Sequence, residues 1–375
     1  MMMLIWIVLP ILCMVLAAVY LYRKCSGGIA CFFPGWSKKR RRAAAGILTA
    51  VLIVPAFRMY DSWFIILLHL TVFLLVVDGI AWVVRKFRKN KELSLLWNKI
   101  YRSGILAVLL TALVCGYGHY NIYQVIRTEY TVETQKAIRA EGYRLVLLSD
   151  LHDGLTLSGD QLRAVAERID AEQPDVIILD GDLVDESTTL EEMEETFEIL
   201  GQLNSTYGVY YVYGNHDQNN YTSSPNYTRE QLADTIRKNG ITILEDESVT
   251  LGSDLTLIGR ADRGDGTFRR KEISELVASL NPEQEWILLD HQPADYQKAE
   301  EAGCDLILSG HTHAGQIWPA GLLAALFHFD ELNYGEKDVG NLHAIVTSGI
   351  AGWGYPIRTE RHSEYVVIQL VPGTA

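Results

Sequence analysis

Apolar residues along this chain are spaced in two different ways, and the change falls near residue 120. Before it they form long runs at residues 1–22, about 43–57, about 63–84 and about 103–120. Roughly 20 consecutive apolar residues cross a bilayer as a helix, so the pattern predicts a transmembrane region of about four spans. The second run is short and contains Pro55, which predicts a tilted or imperfect span. Beyond residue 120 the apolar runs shrink to strand length, at 144–149, 176–180, 209–212, 255–258, 286–289, 306–309, 344–347 and 365–370. Helical patterns fill 158–171, 187–203, 228–239, 270–280 and 293–302. Alternation of this kind predicts an α/β domain whose strands are buried on both faces. The expected organisation is an anchor over 1–120, a polar juxtamembrane connection over 121–142 with one edge strand at 125–132, and a domain over 143–375.

Charge divides the chain at the same place. The first 120 residues carry fifteen Lys/Arg and only three Asp/Glu, although the whole chain has a formal charge of −13. The basic residues gather in two loops. Loop 23–42 holds Arg23, Lys24, Lys38, Lys39, Arg40, Arg41 and Arg42, and loop 85–102 holds Arg85, Lys86, Arg88, Lys89, Lys91, Lys99 and Arg102. The positive-inside rule places both in the cytoplasm, so four spans put everything after residue 120 outside it. No basic residue precedes the first apolar run, and 21–23 is a poor cleavage context, which predicts a retained helix rather than a signal peptide. His69 and Asp78, inside the third run, read as structural. The acidic remainder argues against nucleic-acid binding. It contains a single cysteine, Cys304, and therefore no internal disulfide.

In open α/β sheets ligands sit outside the carboxyl ends of the strands. The residues there are Asp150-Leu151-His152-Asp153, Asp180-Gly181-Asp182, Gly214-Asn215-His216-Asp217, Asp290-His291 and Gly310-His311-Thr312-His313. Five of the eight histidines beyond residue 120 fall at these ends, which core packing does not explain. Carboxylates, imidazoles and an amide carbonyl, without thiolates, suit divalent Mn, Fe or Zn. Asp150, His152, Asp182, Asn215, His291, His311 and His313 are too many ligands for one tetrahedral ion. Two ions bridged by a carboxylate would use them all.

This ordered series resembles the signature of calcineurin-like metallophosphoesterases over roughly residues 143–370. The runs 309–316 and Trp353-Gly354-Tyr355-Pro356-Ile357-Arg358 are similar to the membrane-anchored bacterial branch. The resemblance implies a four-layer α-β-β-α sandwich of two mixed sheets flanked by helices. It also implies two-metal hydrolysis of a phosphomonoester, phosphodiester or pyrophosphate bond. Asp150, His152 and His313 would hold one ion, Asn215, His291 and His311 the other, and Asp182 would bridge them. His216 would meet the phosphoryl oxygen or protonate the leaving group, and Asp217 would orient it. The anchor suggests a lipid-linked or envelope phosphoester as substrate, contact with membrane lipid, and a multi-pass protein of the cell membrane. The alternative is a non-catalytic membrane sensor that retains the metal-binding fold, which would be expected to have lost a ligand or His216. A transporter subunit would need more intramembrane ionisable residues than His69 and Asp78. Asp153 and Asp290 read as outer acceptors or plain turn residues; Arg260, Arg263 and Arg358 read as surface pairs ahead of phosphate binders. His343 and His362 read as structural or exposed, and the acidic run 191–198 as a solvated helix face.

Overall fold

Alternate residues of each central strand enter different apolar layers. In β2 (Tyr143–Leu148), Leu145 and Leu147 join a core shared with Leu257, Ile287 and Leu308, whereas Val146 and Leu148 join a second core with Leu162, Phe197 and Ile236. The computed structural model describes residues 2–58, 61–87, 100–157, 159–264 and 270–373, and it divides into two units, Met1–Gly118 and His119–Ala375.

The second unit contains two six-stranded sheets. One has the order β1-β12-β2-β3-β4-β5, where β1 is Val125–Thr134, β3 Val176–Asp180, β4 Val209–Val212, β5 Thr242–Ile243 and β12 Ser363–Pro372. The other has the order β10-β11-β9-β8-β7-β6, with β6 Glu247–Leu251, β7 Leu255–Gly259, β8 Glu285–Leu289, β9 Leu306–Ser309, β10 Gly335–Val339 and β11 Leu342–Val346. Each mixes parallel and antiparallel pairs. Helices Gly159–Ala171, Leu190–Leu200 and Arg229–Lys238 close the outer face of the first sheet, and Ile273–Val277 and Tyr296–Glu301 that of the second. With the shared core between the sheets, the expected four layers are present.

Three short strands escaped the sequence reading for one reason. β6 and β10 are mostly exposed and have no apolar run; antiparallel pairing with β7 and β11 makes them strands. β5 has two residues and is defined by β4 alone. Helix Ala320–Phe327 was also absent from the expectation. In the other direction, β1 runs the full ten residues beside β12, from Val125 opposite Ser363 to Thr134 opposite Pro372. The connection after residue 121 is therefore part of the first sheet.

Where β1 ends, Thr134 donates to the buried carboxylate of Glu285. Burial, then the neighbouring Asp305 carboxylate, pushes Glu285 up to about 7 from an ordinary 4.5. The folded chain thus keeps a proton that the unfolded chain has released, so stability falls as pH rises through that window. Glu285→Gln removes the penalty and leaves an acceptor for Thr134. The variant should unfold at a higher temperature than the parent near pH 8, by about 1–3 kcal/mol, and the gain should vanish near pH 4.5. Thermal unfolding at the two pH values measures it; an equal gain at both would mean that charge is not the cause.

In the first unit the helices are α1 (Met2–Phe32), α2 (Lys38–Ile53), α3 (Ser62–Phe87) and α4 (Ile105–Ile122), the last running on into the second unit. Among the described residues, two stretches are long and apolar enough to cross a membrane, Ser62–Val84 and Ile105–Ile122. α2 is 16 residues long and gives way to a 3₁₀ turn at Pro55–Phe57, because proline offers no N–H to continue the ladder. At 16 residues it is shorter than the roughly 20 that cross a bilayer, where the sequence predicted a tilted or imperfect span. The first expected span lies partly outside the described side chains, and residues 88–99 of the second basic loop lie outside the described residues. Asp78 is paired with Lys24 and accepts from Tyr20 Oη at 2.9 Å, while His69 Nδ1 lies 2.9 Å from Ile65 O. Both are locally satisfied, in keeping with structural roles.

Candidate metal centre

The chain turns sharply where β2, β3 and β9 end. Asp150, His152, Asp182, His311 and His313 all have left-handed backbones, with φ of 56°, 43°, 51°, 69° and 48°. Asp and His tolerate that region better than most side chains, but each such residue still costs about 1–3 kcal/mol. The effect is convergence, because a left-handed residue folds the chain back over the strand end. Gly181, with φ of 74°, permits a close approach: a Cβ there would lie 2.5 Å from Gly214 N and 2.8 Å from His291 Nδ1.

Two ligand groups result, Asp150 with His152 and His313, and Asp182 with His291 and His311. In the first, His152 Nε2 lies 3.1 Å from His313 Nε2, and His313 Nε2 lies 3.5 Å from Asp150 Oδ1. At that distance the two ring nitrogens can share a proton, or both face one cation in its place. In the second, His291 Nε2 lies 3.0 Å from Asp182 Oδ2. The same oxygen lies 3.9 Å from His152 Nε2 of the first group, so Asp182 faces both. Its other oxygen accepts from the His216 backbone N–H at 2.8 Å. Asn215 presents a buried Oδ1 without a hydrogen-bond partner while its Nδ2 donates to Tyr221 Oη at 3.2 Å. An orphaned carbonyl oxygen, buried imidazoles and carboxylates without thiols fit hard or borderline divalent ions.

The outer contacts fix ring orientation. His291 Nδ1 donates to Asp180 O at 2.6 Å, leaving Nε2 as the free ligand atom. Asp185 Oδ2 lies 3.3 Å from His152 Nδ1. Burial depresses His311 to about 4 and holds His313 well below the usual imidazole range, so both are neutral and able to bind metal near pH 7. Burial opposes the charged form of Asp182, but His291 outweighs it and keeps the carboxyl well below the usual range.

His216 sits beside the first group, its ring 5.2 Å from that of His152 and flanked by Tyr221 at 4.9 Å and Trp353 at 5.3 Å. The carboxylate that meets its Nδ1 is Glu186, at 2.9 Å. This corrects the role expected of Asp217. The buried Asp217 carboxylate instead accepts the backbone N–H groups of Gly214, Asp182, Leu183 and Val184 at 2.6–3.2 Å, pinning the β3 and β4 turns together. Glu186 and Asp185 were missed. Their signal was present in the sequence, as an acidic pair three and four residues beyond Asp182.

The arginines also differ from expectation. Arg358 is wholly buried and donates to the carbonyls of His313, Ser348 and Ala351, and so braces the ligand-bearing turn. Arg260 is buried too, pairing with Asp290 at 3.1 Å and Asp295 at 2.9 Å, with Arg270 on the same two carboxylates. Asp290 is thus an ion-pair partner behind His291. His343 pairs with Asp338 at 2.6 Å, away from these groups.

Residues 143–315 match the calcineurin-like phosphoesterase family profile. The chain is 33% identical over 236 residues to an uncharacterized metallophosphoesterase of Helicobacter pylori, covering 61% of this chain and 60% of that one. It is 29% identical over 272 residues to one of Aquifex aeolicus, covering 71% and 97%. A Danio rerio protein named as a transmembrane protein with metallophosphoesterase domain is 30% identical over 286 residues, covering 72% and 63%. The chain thus spans about 60% of the length of its Helicobacter relative. Residues 143–315, which carry both ligand groups, thus form a calcineurin-like phosphoesterase domain.

Proposed function

We propose that this protein is a membrane-anchored phosphoesterase that hydrolyses a phosphomonoester, phosphodiester or pyrophosphate bond with two divalent ions (Mn, Fe or Zn). Asp150, His152 and His313 would hold one ion, and Asn215, His291 and His311 the other. Bound there, the ions would supply positive charge for the phosphoryl oxygens and an activated water. The observation that carries this reading is the Asp182 carboxylate, with one oxygen near ring nitrogens of both groups. His216, held by Glu186 beside the first group, would donate a proton to the leaving oxygen. The rings of Tyr221 and Trp353 lie beside that of His216, at 4.9 and 5.3 Å between centres. Residues 1–120 would form a multi-pass anchor of about four spans, with 121–375 outside the cytoplasm and a lipid-linked or envelope phosphoester as substrate.

Purified full-length protein should bind two Mn per chain and hydrolyse aryl phosphomonoesters, aryl phosphodiesters or pyrophosphate. Inactivity of folded, metal-loaded protein across that panel would sink the catalytic reading. Protease added to intact cells should cut the acidic domain; protection would overturn the orientation.

A further inference from the structure

The helix Ala320–Phe327, α10 here, is apolar at every position, yet only Gly321 of it is buried. Leu322, Leu326 and Phe327 are 58%, 65% and 61% exposed, and Phe329 just beyond is 71% exposed. Leu323 and Trp318 add to the same protrusion. A soluble surface rarely shows so continuous an apolar patch. Eight residues are far too few to cross a bilayer, but an apolar helix of this length can lie in its interface.

The attachments of α10 indicate what covers it. Gly321 N donates to Glu360 Oε2 and Trp318 N to Thr359 Oγ1, both at 2.9 Å. The same loop, 353–363, receives the end of α4, which carries a span-length apolar stretch. Asn121 Nδ2 donates to Arg358 O and Arg361 O at 3.1 and 2.7 Å, and Ser363 Oγ donates to Ile122 O at 2.8 Å. One loop therefore grips both the last turn of a membrane-length helix and the apolar protrusion. That loop also reaches the candidate metal centre. Gln316 Nε2 donates to the carbonyls of Trp353, Tyr355 and Ile357, and the Trp353 ring lies 5.3 Å from that of His216. His313 lies on the 3₁₀ turn leading into α10, where a Cβ on Gly315 would meet Ala320 C at 3.1 Å.

We propose that α10 is a membrane-docking helix, seated at the boundary of headgroups and acyl chains in the bilayer that α4 enters. It holds the metal centre against the lipid surface, so that a lipid phosphoester reaches the site without leaving the bilayer. The docking rests on α10 and its loop; the delivery of substrate rests on the phosphoesterase reading.

The test uses the full chain in nanodiscs of phosphatidylglycerol and phosphatidylethanolamine, with a photoreactive benzoylphenylalanine replacing Leu326. Both Leu326 and a control position, Glu167, are exposed, so neither replacement disturbs packing. Irradiation should shift the mass of the peptide containing position 326 by one phospholipid, with no such shift at position 167. No lipid adduct at 326, equal labelling at both positions, or protein–protein cross-links at 326 in place of lipid would each overturn the proposal. The adduct requires neither metal nor turnover, so an inactive enzyme would count against the phosphoesterase reading and leave this one intact.

Discussion

Asp182→Ala should strip metal from both ligand groups at once, whereas His313→Ala should empty only the group it shares with Asp150 and His152. The asymmetry follows from position. Asp182 Oδ2 lies 3.0 Å from His291 Nε2 and 3.9 Å from His152 Nε2, while His313 contributes its nitrogen to one group alone. Losing a partner behind a ligand typically costs about 10–100-fold in metal affinity or activity, so losing the shared carboxylate itself should cost more than that. Metal content per chain, read beside hydrolysis of an aryl phosphoester, separates the cases. Asp182→Ala should retain little of either ion, and His313→Ala about half of the total. Asp182 also accepts the His216 backbone N–H, so thermal unfolding of both variants should accompany the measurement. Equal metal loss in the two folded variants would show that Asp182 is not shared.

His216→Ala should leave the metal content unchanged and slow turnover by about 100- to 10,000-fold, the range lost with a general acid or base. Its ring touches the first group only at its edge, 5.2 Å from the His152 ring centre, and its Nδ1 is engaged by Glu186. The informative companion is Glu186→Gln. Burial opposes the His216 cation, but the hydrogen bond to Glu186 and the field of Asp182 raise it above the ordinary imidazole value. A proton donor loses activity as pH rises through its own pKa. Removing the Glu186 charge lowers that pKa, so the alkaline limb of kcat against pH should move to lower pH while metal content stays constant. Asp217→Asn should act differently, through stability, because the Asp217 carboxylate holds four backbone N–H groups and does not meet the His216 ring. An unshifted alkaline limb in Glu186→Gln would remove His216 as the proton donor.

Much of the fold was legible because buried strands repeat a local pattern. Strands 176–180, 209–212 and 306–309 were placed to the residue, since each is a short apolar run buried on both faces. β6 and β10 were not, since half-exposed strands owe their conformation to a neighbour and carry no such run. The anchor was only partly legible. Apolar length alone suggested about four spans; two stretches among the described residues are span-length, α2 stops at Ile53 just before Pro55, and the first run lies partly outside the described side chains.

Which side chains stand at the ends of the strands is legible along the chain, because a strand end is a local feature and Asp, Asn and His after an apolar run can be read directly. Which of them meet depends on how distant parts of the chain pack. His152 and His313 are 161 positions apart and follow strands of different sheets, yet their ring nitrogens lie 3.1 Å from each other. That meeting depends on two sheets packing face to face and on five left-handed residues turning the chain over the strand ends. It is also why Glu186 rather than Asp217 faces His216. Adjacency in sequence suggested the neighbouring carboxylate, but the turn sends Asp217 inward to four backbone N–H groups and leaves the ring to a residue 30 positions away.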